Sequence, residues 1–228
     1  MKNILSILIL FVLISNISFA QCITGNCDDG FGKMIYKNQD VYEGTWKNGY
    51  PNGKGKFTYA HSVYEGEFLN GNFEGDGKIT WENGTVYKGS FEKNEFDGNG
   101  IMLWADGSRY EGHFVDGELY GNGNLAYSNG DEYRGNFSKG KPDGKGVYYY
   151  KDGRKYVGMF SKGFFKGEGT LIEKDGTYYS GMFKKGMKNG KGKLVESDKV
   201  INGYWVNDKL NKKFSEEKVT QNKDQDSK

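Results

Sequence analysis

The sequence predicts an all-β protein, built as an extended, single-layer antiparallel β-meander of tandem 23-residue repeats. Three observations carry this prediction. A tyrosine returns at a constant interval, with Tyr64, Tyr87 and Tyr110 each 23 residues apart. Small or aromatic residues alternate with charged ones, which is the period of a strand with two different faces. An Asn-Gly or Asp-Gly pair lies between the alternating segments, and such a pair strongly indicates a hairpin.

Each repeat opens on the motif Tyr-x-Gly-x-Phe and continues with a Gly-x-Gly pair. Seven copies occupy residues 41–200, and self-similarity at this period indicates stacked supersecondary units. In four of the copies the motif consists of Tyr64, Gly66, Phe68; Tyr87, Gly89, Phe91; Tyr110, Gly112, Phe114; and Tyr133, Gly135, Phe137. We expect these residues to be structural, with the glycines leaving room for neighbouring rings.

The Asn-Gly turn before Tyr87 constrains how its two strands pair. A two-residue loop would place Thr80 opposite Tyr87, and opposed residues share a face, so a polar row would meet an apolar one. An odd loop restores the match. We therefore expect a three-residue loop with Gly84 in the left-handed conformation, forming a bulge. In one register that this loop allows, Ile79 lies beside Gly89.

The repeated Tyr-x-Gly-x-Phe followed by Gly-x-Gly resembles the MORN (membrane occupation and recognition nexus) repeat family. The resemblance covers residues 41–200, with half repeats on both sides. It implies an extended antiparallel β-sheet. It also implies phospholipid binding, membrane tethering or protein scaffolding, which are the functions associated with arrays of this family.

Residues 1–20 are predicted to form a signal peptide that is cleaved after Ala20. Lys2 supplies the positive start, an apolar run follows, and a small-x-small cleavage site ends at Ala20. The run is too short to cross a bilayer comfortably, which disfavours a membrane anchor. Glutamine rather than a small residue precedes Cys22, which disfavours a lipoprotein. We therefore expect export to a periplasmic, cell-surface or extracellular location.

Residues 21–40 are predicted to form an N-terminal cap with a half repeat, because repeat arrays need caps where their stacking ends. Gly30-Phe31-Gly32 is an early copy of the Gly-x-Gly pair. The cap holds both cysteines of the chain, Cys22 and Cys27. An exported protein can keep a disulfide, so we expect these two to be bridged, with two free thiols as the alternative.

The repeats are predicted to end in a C-terminal half repeat at residues 201–210. There Gly203 and Trp205 match the glycine and the aromatic residue of the motif. Residues 211–228 are polar and hold almost no large apolar side chain. This composition predicts a disordered tail.

The net charge of +2 hides an asymmetry. Residues 1–118 hold 10 Lys and Arg against 16 Asp and Glu, whereas residues 119–228 hold 22 against 14. The densest basic stretch, a candidate binding patch, consists of Lys184, Lys185, Lys188, Lys191 and Lys193. It is either a solvated surface that keeps the sheet from pairing with other sheets, or a site for anionic lipid or glycan. The asymmetry also allows head-to-tail self-association.

No catalytic constellation emerges from the sequence. The two histidines, His61 and His113, lie outside any nucleophile–base motif. Glu65 and Glu67 share a strand face, but other repeats hold unrelated residues at these positions, as expected of a solvated face rather than a cleft. Phosphate-loop, calcium-loop and zinc spacings do not occur. We expect no enzymatic activity, no cofactor, no metal and no nucleic-acid partner.

Two hypotheses about function follow, and an enzyme with an unrecognised site is a third. The first is an exported, non-enzymatic MORN scaffold that engages an unidentified protein or surface through its β-sheet. The alternative is binding to an anionic phospholipid or glycan surface through the basic C-terminal repeats. Lipid binding by exposed lysines should collapse with added salt, which separates the two.

Overall fold

The computed structural model describes residues 20–218, and every regular element within them is a β-strand. The predicted signal peptide lies outside the described residues except for Ala20. The chain divides into two units, Met1–Ser128 and Asn129–Lys228. Residues 20–218 include no helix long and apolar enough to span a bilayer.

The strands of each unit pair antiparallel in chain order, which confirms the all-β class and the meander. The first unit contains β1 (Gln21–Gly25), β2 (Gly30–Ile35), β3 (Val41–Lys47), β4 (Tyr50–Thr58), β5 (Ser62–Leu69), β6 (Asn72–Trp81), β7 (Val86–Glu92), β8 (Glu95–Leu103), β9 (Arg109–Val115) and β10 (Glu118–Ala126). The second unit contains β11 (Glu132–Ser138), β12 (Lys141–Tyr149), β13 (Lys155–Ser161), β14 (Phe164–Ile172), β15 (Tyr178–Lys184), β16 (Met187–Val195), β17 (Lys199–Val206) and β18 (Lys209–Lys218).

The turn between β6 and β7 is the predicted three-residue loop. The backbone N–H of Trp81 donates to the carbonyl oxygen of Thr85 at 2.9 Å, and the N–H of Gly84 donates to that of Trp81 at 2.9 Å. Gly84 has φ +87°, in the left-handed region that glycine tolerates. This geometry is the type I turn followed by a bulge residue, and it confirms the loop expected from face parity.

The register, however, differs from the one that would bring Ile79 beside Gly89. Ile79 lies opposite Tyr87, and Gly77 lies opposite Gly89. On its other side Gly77 faces Gly66. Glycine therefore meets glycine on neighbouring strands, because the three-residue loop aligns the second glycine of each Gly-x-Gly with the motif glycine.

The two glycines of the Gly-x-Gly pair have different roles. The first lies where the register shifts against the preceding strand, as between Gly66 and Glu67, and it takes a positive φ. Gly75 has φ +60° and Gly98 has φ +92°. These bulge positions need glycine for backbone conformation, whereas the second glycine provides space.

The motif tyrosine of each repeat lies over a pair of facing glycines. A Cβ added to Gly77 would lie 2.5 Å from the Oη of Tyr64, so the ring occupies the volume that a side chain would need. The Tyr64 hydroxyl donates to the carbonyl oxygen of Glu67 at 2.9 Å. The glycines thus leave room for a ring, as expected, and the ring satisfies its polar atom locally.

Stacked aromatic rings form the core, which is one strip in each unit. The ring of Phe73 lies parallel to that of Tyr64 with centroids 3.7 Å apart, and Phe68 meets Tyr64 edge-on at 5.1 Å. The second unit repeats this stack with Tyr156 and Phe165, whose centroids are 3.7 Å apart. The motif tyrosines are 0–1% exposed, and they are Tyr42, Tyr64, Tyr87, Tyr110, Tyr133, Tyr156 and Tyr179.

The N-terminal cap holds a disulfide between Cys22 and Cys27, whose Cα atoms are 6.0 Å apart. The turn between β1 and β2 contains Cys27 and lies against the turn between β3 and β4. The N–H of Gly49 donates to the carbonyl oxygen of Asp28, the residue after Cys27, at 3.0 Å. In the next repeat the N–H of Gly71 donates to the carbonyl oxygen of Pro51 in the preceding repeat. The turn beside the disulfide therefore supplies an acceptor that no earlier repeat can provide.

The predicted disordered tail needs a correction. The half repeat does not end the sheet at residue 210, because Lys209–Lys218 forms β18 and pairs with β17. The side chains of β18 are exposed throughout, so their polar composition carried no sign of a strand. Pairing of the backbone with the edge of β17 orders this segment instead. The rest of the predicted tail, residues 219–228, lies outside the described residues.

Candidate binding surface

The two faces of each sheet offer very different surfaces. The aromatic face carries the tyrosine, glycine and phenylalanine of the motif. We call the other the variable face, because it carries the x positions. Phe68, Phe91 and Phe114 are 1–3% exposed. These motif rings therefore pack against one another. The candidate binding surface is the variable face.

Burial on the aromatic face also fixes the state of its hydroxyls. Desolvation raises the pKa of Tyr110 to about 12, although a hydrogen bond to the His113 carbonyl acts in the opposite direction. Desolvation likewise raises the pKa of Tyr179 to about 12. These hydroxyls are protonated at neutral pH and are donors to the backbone, not general bases.

On the variable face of the first unit, cations and carboxylates pair across strands. The Nζ of Lys33 lies 3.2 Å from a carboxylate oxygen of Glu43, and the Nζ of Lys56 lies 3.0 Å from one of Glu65. Each pair is in direct register on adjacent strands. The positive charge of these lysines is therefore largely balanced within the sheet.

A shallow groove of about 690 Å³ crosses this part of the variable face. Its floor is the backbone of the glycine row, and both signs of charge line it, from Glu65, Asp76 and Glu111 to Lys78 and Lys88. The hydroxyl of Ser90 donates to Asp76 at 3.4 Å. The groove therefore offers charged side chains and a backbone floor for polar contacts.

The variable face of the second unit has a different character. It bears an apolar strip, which consists of Val147, Val157, Met159 and Met182. Val147 and Val157 are in register on β12 and β13. Val157 is 39% exposed, and each methionine is 38% exposed. Where the second repeat begins, the positions of Val157 and Met159 hold Glu65 and Glu67, so apolar side chains replace charged ones.

Unpaired cations border the apolar strip. Lys145 lies in register with Met159, and Lys191 and Lys193 lie on β16, next to the strand that carries Met182. All three lysines are exposed, and none forms an ion pair within residues 20–218. We call these three residues the basic rim. Glu168 on β14 lies opposite Met182, and β14 runs between the strands that carry Met159 and Met182, so one carboxylate interrupts the apolar strip.

The structure divides the predicted basic patch. Lys191 and Lys193 flank Gly192, whose missing side chain faces the ring of Tyr179, so both lysines lie on the variable face. Lys188 lies on the aromatic face with its Nζ 5.1 Å from the centre of the Tyr179 ring. Lys184 and Lys185 are exposed where β15 turns into β16. Lys184 is two residues from Met182 on β15, so three of the five lysines lie on the variable face, and two of these belong to the basic rim.

The two histidines considered in the sequence are not part of the apolar strip or the basic rim. His61 and Glu82 meet at 2.6 Å on exposed turns, with 83% and 72% of their side chains exposed. His113 lies on the variable face, opposite Asn99 and Tyr120. Among residues 20–218 no group of three or more His, Cys, Asp or Glu is placed to hold a metal ion.

The sequence contained the apolar strip, but the prediction of site residues missed it. The replacement of glutamates by Val157 and Met159 is visible when the repeats are aligned. Read along one strand, that replacement indicates only a solvated face. What it indicates depends on which strands lie side by side, and Val147 and Met182 belong to other repeats.

Comparisons with known proteins agree with this architecture. The family model described as MORN repeat matches the chain in seven segments: residues 42–60, 64–86, 87–109, 110–132, 133–153, 156–178 and 179–195. None of the curated proteins compared with the chain matches it.

Solved structures that resemble the chain include a TCP10 domain and a TCP domain. The wild-type TCP10 domain of CPAP from Danio rerio is 14% identical, with 83% of this chain and 90% of that chain covered and a TM-score of 0.46. The TCP domain of SAS-4 (dCPAP) from Drosophila melanogaster, in complex with a proline-rich motif of Ana2 (dSTIL), is 16% identical, with 74% and 94% covered and a TM-score of 0.44. At these identities and TM-scores neither likeness bears on what this chain binds.

Proposed function

The chain belongs to the MORN repeat family, and from this premise we propose that it is an exported, non-enzymatic scaffold that binds a partner protein through the variable face of its β-sheets. The apolar strip is the observation that carries the proposal. Exposed apolar side chains gathered on one surface commonly mark an interaction site. On the aromatic face the motif tyrosines and phenylalanines are buried against one another.

Affinity capture with residues 21–228 as bait tests the scaffold function. The bait is exposed to the exported fraction of the source cells, beside the double variant Val157→Glu/Met159→Glu. Glutamate occupies these positions at Glu65 and Glu67, so the variant is expected to fold. A protein retained by the wild type and lost by the variant supports the proposal. If the wild type retains no protein specifically, the scaffold function is wrong.

Export is a separate part of the proposal. The mature protein is expected to begin at Gln21, and its intact mass after secretion measures this directly. A species that retains residues 1–20, or one that carries lipid on Cys22, contradicts it. The same measurement with a thiol label, before and after reduction, reports whether Cys22 and Cys27 are bridged in the secreted protein.

Binding to an anionic phospholipid surface is a second candidate function, and the exposed, unpaired Lys191 and Lys193 favour it. Each lysine near an anionic membrane contributes about 1 kcal/mol at physiological salt. The mature chain should then sediment with anionic vesicles, lose that binding at high salt, and be weakened by Lys191→Glu/Lys193→Asn. Equal sedimentation with neutral vesicles would exclude this mode. Light scattering without vesicles identifies head-to-tail self-association, which is also salt-sensitive.

A further inference from the structure

Resting on the proposed scaffold function, we infer that the apolar strip and its basic rim bind an acidic amphipathic helix of the partner protein. Three features of the second unit point to this occupant: an apolar surface, a border of unpaired lysines and a backbone whose hydrogen bonds are already made within the sheet.

The apolar surface calls for an occupant with an apolar side. Val147 and Val157 form a cross-strand pair. Met159 lies two residues from Val157 on β13, and Met182 lies on β15. Methionine side chains are flexible and polarisable, so they adapt to the shape of an apolar partner. An entirely polar segment would displace water from this surface without making apolar contacts in its place.

The charges around the strip select an acidic occupant. In the first unit, Lys33 and Lys56 of the variable face are paired with glutamates on adjacent strands at 3.2 and 3.0 Å. Lys78 and Lys88 lie opposite each other without an ion pair among the described residues, but carboxylates of Glu65, Asp76 and Glu111 line the same groove. In the second unit the basic rim, Lys145, Lys191 and Lys193, lies beside the apolar strip without such pairs. Charges that border an apolar contact set its specificity, so carboxylates beside the apolar side of the occupant would complete the surface.

The backbone of the sheet favours a helix over an extended peptide. Strands β12 to β15 pair with a neighbour on both sides, so their N–H and C=O groups are already used. An occupant lying across them receives no backbone hydrogen bonds from the sheet. A helix satisfies its own backbone groups and can present apolar residues along one side.

The extent of the surface sets the length of that helix. From β12, which carries Lys145, to β16, which carries Lys191 and Lys193, there are four strand spacings. At about 4.8 Å each, the surface is roughly 19 Å across. A helix rises about 1.5 Å per residue, so roughly 13 residues span it.

Fluorescence anisotropy with synthetic peptides tests the inference on the mature chain. The probe is a peptide of about 14 residues in which leucines form one helical face and glutamates flank it. Its controls are a scrambled peptide of the same composition and a copy with lysine in place of glutamate. We expect the acidic amphipathic peptide to bind at least about tenfold more tightly than either control, a difference of about 1.4 kcal/mol.

Four variants localise the binding. Val157→Glu/Met159→Glu and Lys145→Asp/Lys191→Glu should each weaken the probe at least about tenfold; the acidic residues have precedents at Glu65, Glu67, Asp76 and Glu168 in the same repeat positions. The controls Leu69→Ser and Lys174→Glu should bind like the wild type. Leu69 is 49% exposed but lies in the first unit, and Lys174 is an exposed turn residue. Circular dichroism melts verify that every variant is folded.

The outcomes are distinguishable. Equal binding of the scrambled peptide, or unchanged binding by both strip and rim variants, overturns the inference. So does strip-dependent binding to anionic vesicles with no peptide binding, which would make the surface a membrane site. Strip-dependent dimers in light scattering would assign it to a second copy. If affinity capture retains a partner equally with wild-type and strip-variant baits, the scaffold function stands while this inference fails.

Discussion

Each motif tyrosine depends on two glycines that lie under its ring. Tyr110 lies over Gly112 and Gly123, and a Cβ on Gly112 would come within 2.6 Å of the ring's Cζ atom and 2.7 Å of the Cα of Gly123. A valine would ordinarily suit a strand, because β-branched residues pack well on pleated surfaces. At this position the steric conflict outweighs that preference, since neither the backbone nor the buried ring has space to move.

Substitution Gly112→Val is therefore expected to destabilise the protein by about 1–3 kcal/mol, the usual cost of overpacking a core. Urea unfolding followed by circular dichroism measures the change. The matched control is Gly117→Asn. Nothing lies within 4 Å of a Cβ added there, and Asn94 holds the same repeat position with a similar positive φ. An unchanged unfolding midpoint for Gly112→Val would refute the packing role of the glycine.

The buried tyrosines predict alkaline unfolding. Burial raises the pKa of Tyr110 and of Tyr179 to about 12, above the value near 10 expected when the chain is unfolded. Because the folded pKa is the higher one, the stabilisation is complete below pH about 10 and is lost as the pH rises toward about 12. Tyrosinate absorbance and circular dichroism, recorded together, measure this.

In that titration the motif tyrosines should ionise together with the loss of β-structure, because the folded sheet buries them. A single phase near pH 10 with the strands preserved would show that the motif tyrosines are not buried in solution.

At the scale of the element, a short side chain organises each Asn-Gly or Asp-Gly hairpin. The carboxylate of Asp106 accepts a hydrogen bond from the N–H of Ser108 at 2.9 Å. In the preceding hairpin the amide oxygen of Asn83 accepts the same bond from Thr85 at 2.9 Å. Hydrogen bonds, that of the Ser108 backbone first, lower the pKa of Asp106. An amide oxygen and a carboxylate oxygen therefore accept the same hydrogen bond in this turn, but only the carboxylate is protonated by acid.

Substitution Asp106→Asn should reduce the sensitivity of the fold to acid. The folded pKa of Asp106 lies below its unfolded value, so its contribution to stability is present above pH about 4 and is lost as the pH falls through the folded pKa. Asparagine keeps the hydrogen bond and does not titrate. The measurement is the urea midpoint at about pH 6 and about pH 2 for both proteins. An identical acid-induced loss in wild type and variant would contradict the role of this carboxylate.

At the scale of the whole molecule, each strand contacts its neighbours in the meander, so stability is local. In repeat proteins of this kind the free energy of unfolding is close to a sum of unit and nearest-neighbour contributions. The Cys22–Cys27 disulfide adds to that sum at the N-terminal end, next to Asp28, which accepts the hydrogen bond from Gly49. Its effect should therefore be confined to the first strands.

Replacement of both cysteines by serine is expected to destabilise that end by about 2 kcal/mol, the chain-entropy value for so short a loop. Amide hydrogen exchange by mass spectrometry should become faster in β1 and β2. Exchange in residues 129–218 should stay the same. Faster exchange across both units would show that stability is not local, and no change in β1 would show that the bridge contributes nothing.

The sequence by itself determined the repeat, the strand character of its segments, the three-residue hairpin loop and the space that the glycines leave for rings. These features are local: alternation along a strand and a turn with Gly84 in the left-handed region need only neighbouring residues. Which residues lie side by side on neighbouring strands, and on which face, follows from the tertiary structure. It set Gly77 against Gly89 instead of Ile79, put Lys188 on the other face from Lys191, and ordered residues 211–218 in β18. It also brought the four residues of the apolar strip together from separate repeats. Which residues become neighbours depends on the length of every loop and the position of every bulge between them. A shift of one residue moves a side chain to the opposite face.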